Sequence, residues 1–263
     1  LRSLKHVHHH FTWEKVADKM QEVYEDVLSE SGVLQQPEIQ LIENAFEEAA
    51  ATFHKSAMLL APKVAQAASL MSKAFEKGNK ILVCGNGGSA AESQHFAAEL
   101  VGRFEIPKRK GLPVMALSAD NAIVTAWAND FGFDEVFSRQ VSAFGKPGDI
   151  LLCLSTSGQS PNIINALVAA TEVGMTCINM LGKDGGEAAA YGDVNSIVPS
   201  MSTPRIQEVH LHLVHLLCGL IENRLFSSPA AQKPLEIVPF KIINHQKSFV
   251  AGTLNSKTHH YGS

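Results

Sequence analysis

Two short stretches carry residue types that can hold an anion and move a proton. The first is Cys84-Gly85-Asn86-Gly87-Gly88-Ser89, which runs on to His95 and Glu99. Its glycines allow a tight turn, and Ser89 can cap a following helix. A helix opening there aims backbone N–H groups and a partial positive charge at an anion such as phosphate, with Asn86, Gly87 and Ser89 closest to it. His95 and Glu99 are four apart, so on that helix they share a face about 6 Å apart. The second stretch is Ser155-Thr156-Ser157-Gly158-Gln159-Ser160, with Pro161 suited to the first helical position. Ser155, Thr156, Ser157 and Ser160 could surround one phosphate without a lysine. Either turn alone is also an ordinary helix start built from small residues. Two of them, each at the end of a strand in one parallel sheet, point to a shared anion site.

A third group lies near the end of the chain, in Arg205-Ile206-Gln207-Glu208-Val209-His210-Leu211-His212-Leu213-Val214-His215. Its histidines are half-buried polar residues or ligands. With His95 and Glu99, Gln207 and His215 would form an N/O metal site or an acid/base set. Gln207 and His215 are eight apart, about 12 Å along an ideal helix. One compact centre therefore needs helix distortion, long reach or residues from two copies of the chain. Asp130, in Asn129-Asp130-Phe131-Gly132-Phe133, is a turn residue or a contact for sugar hydroxyls. Arg103, one turn beyond Glu99, could hold a substrate oxygen or pair with a carboxylate. Lys183-Asp184-Gly185-Gly186 is a turn signal. A rival reading of the first turn is dinucleotide binding, since Gly85-x-Gly87-x-x-Ala90 fits that fingerprint. The acidic residue needed about 20 positions on is misplaced, because Glu105 comes too early and Asp120 too late.

Alternating elements would position these groups. Short apolar runs at Lys80–Cys84, Pro113–Leu117, Asp149–Ser155, Thr176–Leu181 and Val194–Val198 predict strands. Helical spacing falls between them at Ser89–Arg103, Ala119–Asn129, Asp134–Phe144, Ser160–Val173 and, more weakly, Gly185–Tyr191. Pro204 to about Phe226 predicts a closing helix. This alternation implies an α/β fold with a parallel sheet covered on both faces. Pro37–Lys55 and Ala61–Lys77 predict two preceding helices, the second capped by Gly78.

Of 263 residues, 45% are hydrophobic and 18% charged, enough to bury a sizeable core. The formal net charge of −4 argues against general nucleic-acid binding. Cys84, Cys153, Cys177 and Cys218 each sit in an apolar run with no C-x-x-C pair, which predicts buried, reduced thiols. The longest apolar stretch, Val209 to Ile221, is too short and too His-rich to span a membrane. With no signal peptide visible, a cytoplasmic location is expected. His6, His8, His9 and His10 are a surface cluster or a metal-binding tract.

Residues from about 60 to 226 resemble the SIS (sugar isomerase) domain family and, within it, the phosphoheptose isomerases. The resemblance rests on Cys84-Gly85-Asn86-Gly87-Gly88-Ser89, His95-Phe96-Ala97-Ala98-Glu99-Leu100-x-Gly102-Arg103 and Asn129-Asp130-Phe131-Gly132-Phe133. Ser155-Thr156-Ser157-Gly158-x-Ser160 and Arg205-Ile206-Gln207-Glu208-x-His210 complete it. It implies a three-layer, five-stranded flavodoxin-like sheet and a homotetramer with interfacial active sites. It also implies isomerisation of sedoheptulose 7-phosphate to D-glycero-D-manno-heptose 7-phosphate, towards lipopolysaccharide heptose. Carried onto this chain, it makes Glu99 the base and His215 the partnering acid/base of an enediol route. The substrate pocket becomes Asn86, Gly87, Ser89, Arg103, Asp130, Ser155, Thr156, Ser157, Ser160 and Gln207. His95, Glu99, Gln207 and His215 match positions that bind zinc in some members. Pro204 stands where some members have Asp, so Thr203 or Asp130 would have to replace one sugar contact.

The resemblance leaves residues 1–35 and 227–263 as extensions of a domain at 36–226. Within the first, Phe11-Thr12-Trp13-Glu14-Lys15-Val16-Ala17 through Val23-Tyr24-Glu25-Asp26-Val27-Leu28 resembles the last helix of GT-B-type glycosyltransferases. That implies the tail of an upstream fused domain. A non-catalytic SIS relative that binds the bacterial replication initiator is similar at Ala90-Ala91, Gln94-His95-Phe96-Ala97-Ala98 and Cys218-x-x-Ile221. A sugar-phosphate-sensing module is a third reading. The presence of both Glu99 and His215 favours an enzyme over either.

Overall fold

The computed structural model describes residues 19–23 and 36–227. Residues 19–23 are helical. The rest of the GT-B-like segment, the histidines at 6–10 and the tail from 228 onward lie outside the described residues.

Five strands, β1 (Ile81–Gly85), β2 (Val114–Ala116), β3 (Ile150–Ser155), β4 (Thr176–Gly182) and β5 (Val194–Val198), form one sheet in the order β2-β1-β3-β4-β5. Every pairing is parallel. The central strands β1 and β3 read as largely apolar runs because both faces are covered, whereas the edge strands β2 and β5 are buried only at alternate positions. Ile81, Val83, Ile150, Leu152, Leu154, Ile178 and Met180 face one core, and Leu82, Cys84, Leu151, Cys153, Cys177 and Leu181 face the other. The period of two in a strand sends alternate side chains to opposite faces. All four cysteines are free and buried, as their apolar settings predict.

The first core is closed by α1 (Gln36–Glu76), α2 (Gly88–Val101) and α6 (Thr203–Phe226). The second is closed by α3 (Asn121–Phe131), α4 (Val136–Phe144) and α5 (Pro161–Val173), with short 3-10 turns at Phe133–Glu135 and Glu187–Tyr191. On α6, Ile206, Val209, Leu213, Val214, Leu217 and Ile221 are almost fully buried. Each contributes about 1.5–3 kcal/mol by leaving water.

One expectation fails. The two helices at Pro37–Lys55 and Ala61–Lys77 are a single helix, with Pro62 inside it. Pro62 removes one backbone hydrogen bond, but Phe53, Leu60 and Val64 on either side of it pack into the same core. That shared burial carries the helix through the proline. Gly78 ends it with φ 80°, as predicted.

Strand β1 is followed through α2 by β2 on one side, and the chain then crosses back so that β3 lies on the other side of β1. A crevice forms outside the carboxyl ends of β1 and β3, the usual ligand position in such sheets. The two candidate turns leave those two strand ends, where Cys84 pairs with Cys153 and Gly85 with Leu154.

Candidate active site

The turn after β1 is built by close approach. A Cβ on Gly85 would lie 2.5 Å from the Ser89 carbonyl oxygen, and Gly87 has φ 56°. Helix α2 starts at Gly88 with Gly87 as its N-cap residue and no side-chain cap. Ser89 therefore does not cap the helix. It lies within the first turn, almost fully buried, because the tight Gly85 contact brings the helix start forward.

The turn after β3 is held from two sides. Ser155 Oγ accepts the Gly158 N–H at 3.0 Å, and Ser157 Oγ accepts the Gln159 N–H at 3.2 Å. Gly158, with φ 63°, packs so tightly on the Lys183–Gly186 turn that a Cβ would meet the Gly185 carbonyl oxygen at 1.9 Å. The Ala188 N–H donates to the Gly158 carbonyl. The Lys183-Asp184-Gly185-Gly186 signal is thus the brace of the second cradle. Ser160 precedes α5, whose first residue is Pro161. Thr156, Ser157 and Ser160 are half-buried at the crevice.

Asn86 and Asn162 join the cradles by reciprocal amide hydrogen bonds of 2.8 and 2.9 Å. Asn162, buried in the first turn of α5, was not a candidate from the sequence. Its only signal there is a polar amide directly after Pro161.

Helices α2 and α6 lie side by side. A Cβ on Gly88 would come within 2.5 Å of Gln207 Nε2, so Gln207 sits at the start of α2. About two turns further along both helices, His95 Nε2 and His215 Nε2 are 2.9 Å apart. His95 Nε2 is 3.7 Å from Glu99 Oε1. His95 is thus the link between the two proposed proton-carrying groups. All three are half-buried. The stacked ring of Phe104 backs His215, with centroids 5.9 Å apart and planes 18° apart.

Of the four residues matched to zinc, His95, Glu99 and His215 lie together. Gln207 lies by Gly88 and His215 by His95, about 12 Å apart along the axis of α6. Among the described residues, no group of three or more His, Cys, Asp or Glu side chains is arranged to hold a metal ion. The donor types of the four residues suit zinc.

Asp130 and Arg103 are both solvent-exposed within one chain. Asp130 is exposed on the last turn of α3 and accepts a hydrogen bond from Asn129 Nδ2 at 2.9 Å. Arg103 is exposed beyond the end of α2. Pro204 occupies the first turn of α6, where a missing N–H costs little.

Two buried titratable groups lie on these helices, Glu92 on α2 and His210 on α6. Glu92, on α2 between the cradle and His95, is 9% exposed, and its Oε2 has no hydrogen-bond partner. Burial raises its carboxyl to about 7, against a hydrogen bond from Ser89 that lowers it. His210 is fully buried with Nε2 3.1 Å from the Leu181 carbonyl oxygen, and burial lowers its pKa to about 4. It is a structural histidine.

The family model described as the SIS domain matches residues 45–182. A phosphoheptose isomerase of Trichlorobacter lovleyi is 51% identical over 176 residues, covering 67% of this chain and 89% of that protein. The structure of a phosphoheptose isomerase from Neisseria gonorrhoeae matches with a TM-score of 0.67 and 43% identity, over 70% of this chain and 98% of that one. One from Francisella tularensis matches with a TM-score of 0.69 and 39% identity, over 71% and 98%.

Proposed function

This chain belongs to the SIS-domain family and within it to the phosphoheptose isomerases, and from that premise we propose that it interconverts sedoheptulose 7-phosphate and D-glycero-D-manno-heptose 7-phosphate. The observation that carries the proposal is the lateral match of α2 and α6. It puts the Glu99–His95–His215 chain on the same pair of helices as the phosphate cradle.

Ser89 and His95 are six residues apart, about 9 Å along α2. A substrate with phosphate at one end and its reacting carbons at the other suits that separation. The phosphate lies against the α2 N-terminus and the Ser155, Thr156, Ser157 and Ser160 hydroxyls. Glu99 takes the proton from the carbon next to the carbonyl, and His215 supplies or removes the proton on the neighbouring oxygen. The enediol then collapses with the proton returned to the other carbon. At 2.9 Å, His95 holds the His215 ring in place and can share its proton. A zinc ion, if bound here, would draw on His95, Glu99, Gln207 and His215 and would act as a Lewis acid on the substrate oxygens.

A homotetramer is part of the proposal. Helix α1 exposes Leu41, Ile42, Phe46, Met58 and Leu59, an apolar run with no partner among the described residues. Among those residues, no helix is long and apolar enough to cross a membrane.

The test is solvent deuterium incorporation at the reacting carbons together with turnover. Glu99→Gln is expected to lose both, and His215→Ala to lose turnover, with sugar-phosphate binding retained. Binding without turnover in the unmutated chain would replace the enzyme by a sugar-phosphate-binding module.

A further inference from the structure

Seven residues beyond His215 on α6, Glu222 is almost fully buried. Its carboxylate accepts the N–H of Phe104 at 2.9 Å, of Glu105 at 2.9 Å and of Ile106 at 2.8 Å, and it pairs with Arg109 Nε. Both side chains of that pair are 1% exposed. The guanidinium reaches on: Arg109 Nη2 donates to the Glu99 carbonyl at 2.7 Å, and Nη1 donates to those of Leu100 at 2.7 Å and Lys110 at 3.0 Å.

Two consequences follow for the proton-carrying residues. The last turn of α2, which bears Glu99, has its open carbonyls closed by a planar fork that lysine could not reproduce. The loop after that turn is gathered onto one carboxylate through Phe104, the residue whose ring stacks on His215. A single buried ion pair therefore touches both halves of the centre, one through the backbone of Glu99 and one through the ring behind His215. Cys218 lies among these groups. Burial pushes its thiol up to about 12, with Glu99 and Glu222 adding to the rise and Arg109 opposing it.

We propose that Glu222 and Arg109 are positioning residues for the isomerisation, setting the distance between Glu99 and His215 by clamping the end of α2 and pressing Phe104 against the His215 ring. This rests on the reading that Glu99 and His215 carry the proton transfer. Neither Glu222 nor Arg109 meets the substrate, so their effect falls on the chemical step.

Phe104→Leu in the full chain is the first test, because it removes the ring behind His215 and leaves the buried pair intact. Its kcat is expected to fall about tenfold with KM within about twofold, the pattern of a small misplacement of reacting groups. In NMR without substrate, the His215 ring protons are expected to lose their ring-current shift while the thermal midpoint stays within a few degrees. Arg109→Lys keeps a positive charge beside Glu222 but loses the fork to Glu99 and Leu100, and is expected to lower kcat by about 10- to 100-fold. Wild-type kcat in folded Phe104→Leu, or a His215 signal that does not move, overturns the proposal. The NMR signature needs no turnover, so an inactive unmutated chain would overturn the isomerase reading while the positioning claim is still decided.

Discussion

Asn86, in the turn after β1, and Asn162, in the first turn of α5, exchange two side-chain amide hydrogen bonds across the crevice. The pair ties the first cradle to the second at the point where the sheet order reverses. Asn86 is thereby committed to a partner 76 residues away, and the pair holds the two turns against each other.

Replacing Asn162 by Ala leaves the half-buried Asn86 amide without its partner. A loss of about 1–3 kcal/mol of stability is expected from urea denaturation. Because the cradles loosen while Glu99 and His215 stay in place, KM for the sugar phosphate should rise with kcat largely retained. A fall confined to kcat would contradict this role.

Gly158 is fixed by its neighbours. Alanine there meets the Gly185 carbonyl oxygen and must also adopt φ 63°. Gly158→Ala is expected to cost about 3 kcal/mol or more and to abolish phosphate binding measured by calorimetry. Unchanged binding of inorganic phosphate would show that the brace from the Lys183–Gly186 turn is dispensable.

Glu92 makes stability depend on pH in a stated direction. Its folded pKa, about 7, lies above the ordinary 4.5 because burial favours the neutral carboxyl. The folded form thus holds the proton more tightly than the unfolded chain. This contribution is full below about pH 4.5 and is lost as pH rises through 7. Glu92→Gln cannot ionise, so its stability relative to the natural protein should rise by up to about 3 kcal/mol between pH 4.5 and 8.5. Parallel urea titrations at both ends of that range would measure it, and a constant difference would refute it.

Glu222 works in the opposite sense. Burial alone would raise its carboxyl, but Arg109 and three backbone N–H groups outweigh burial and hold it below the ordinary value. Its stabilisation is full above the unfolded carboxylate's range, near 4.3, and is lost as pH falls through the lower folded value. Acid unfolding of Glu222→Gln should therefore show a shallower slope below pH 4 than the natural protein, read by circular dichroism.

Local spacing determined the elements. Val194–Val198 coincides with a predicted strand, and Thr176–Gly182 differs by one residue from its prediction, because short runs rich in apolar residues mark the buried positions of a strand. The two glycine- or serine-rich turns were legible for a related reason, since each follows such a run and opens a helix. The break expected between Lys55 and Ala61 is absent because the burial of Phe53, Leu60 and Val64 in one core carries a single helix through Pro62.

The site itself depended on tertiary structure. Nothing in the spacing of His95 and His215, 120 residues apart, says that their ring nitrogens meet at 2.9 Å. That contact follows from the lateral register of α2 and α6, set where Gln207 lies on Gly88 and Ile206 on Gly182. Asn162, Arg109 and Glu222 were invisible for the same reason. Each is a polar residue in a local sequence that would suit solvent, and only the packed neighbours turn it into a clamp. The sequence determined which groups could do the chemistry. The packing of helices on the sheet decided which of them touch, because distances between elements depend on side-chain volumes far apart in the chain.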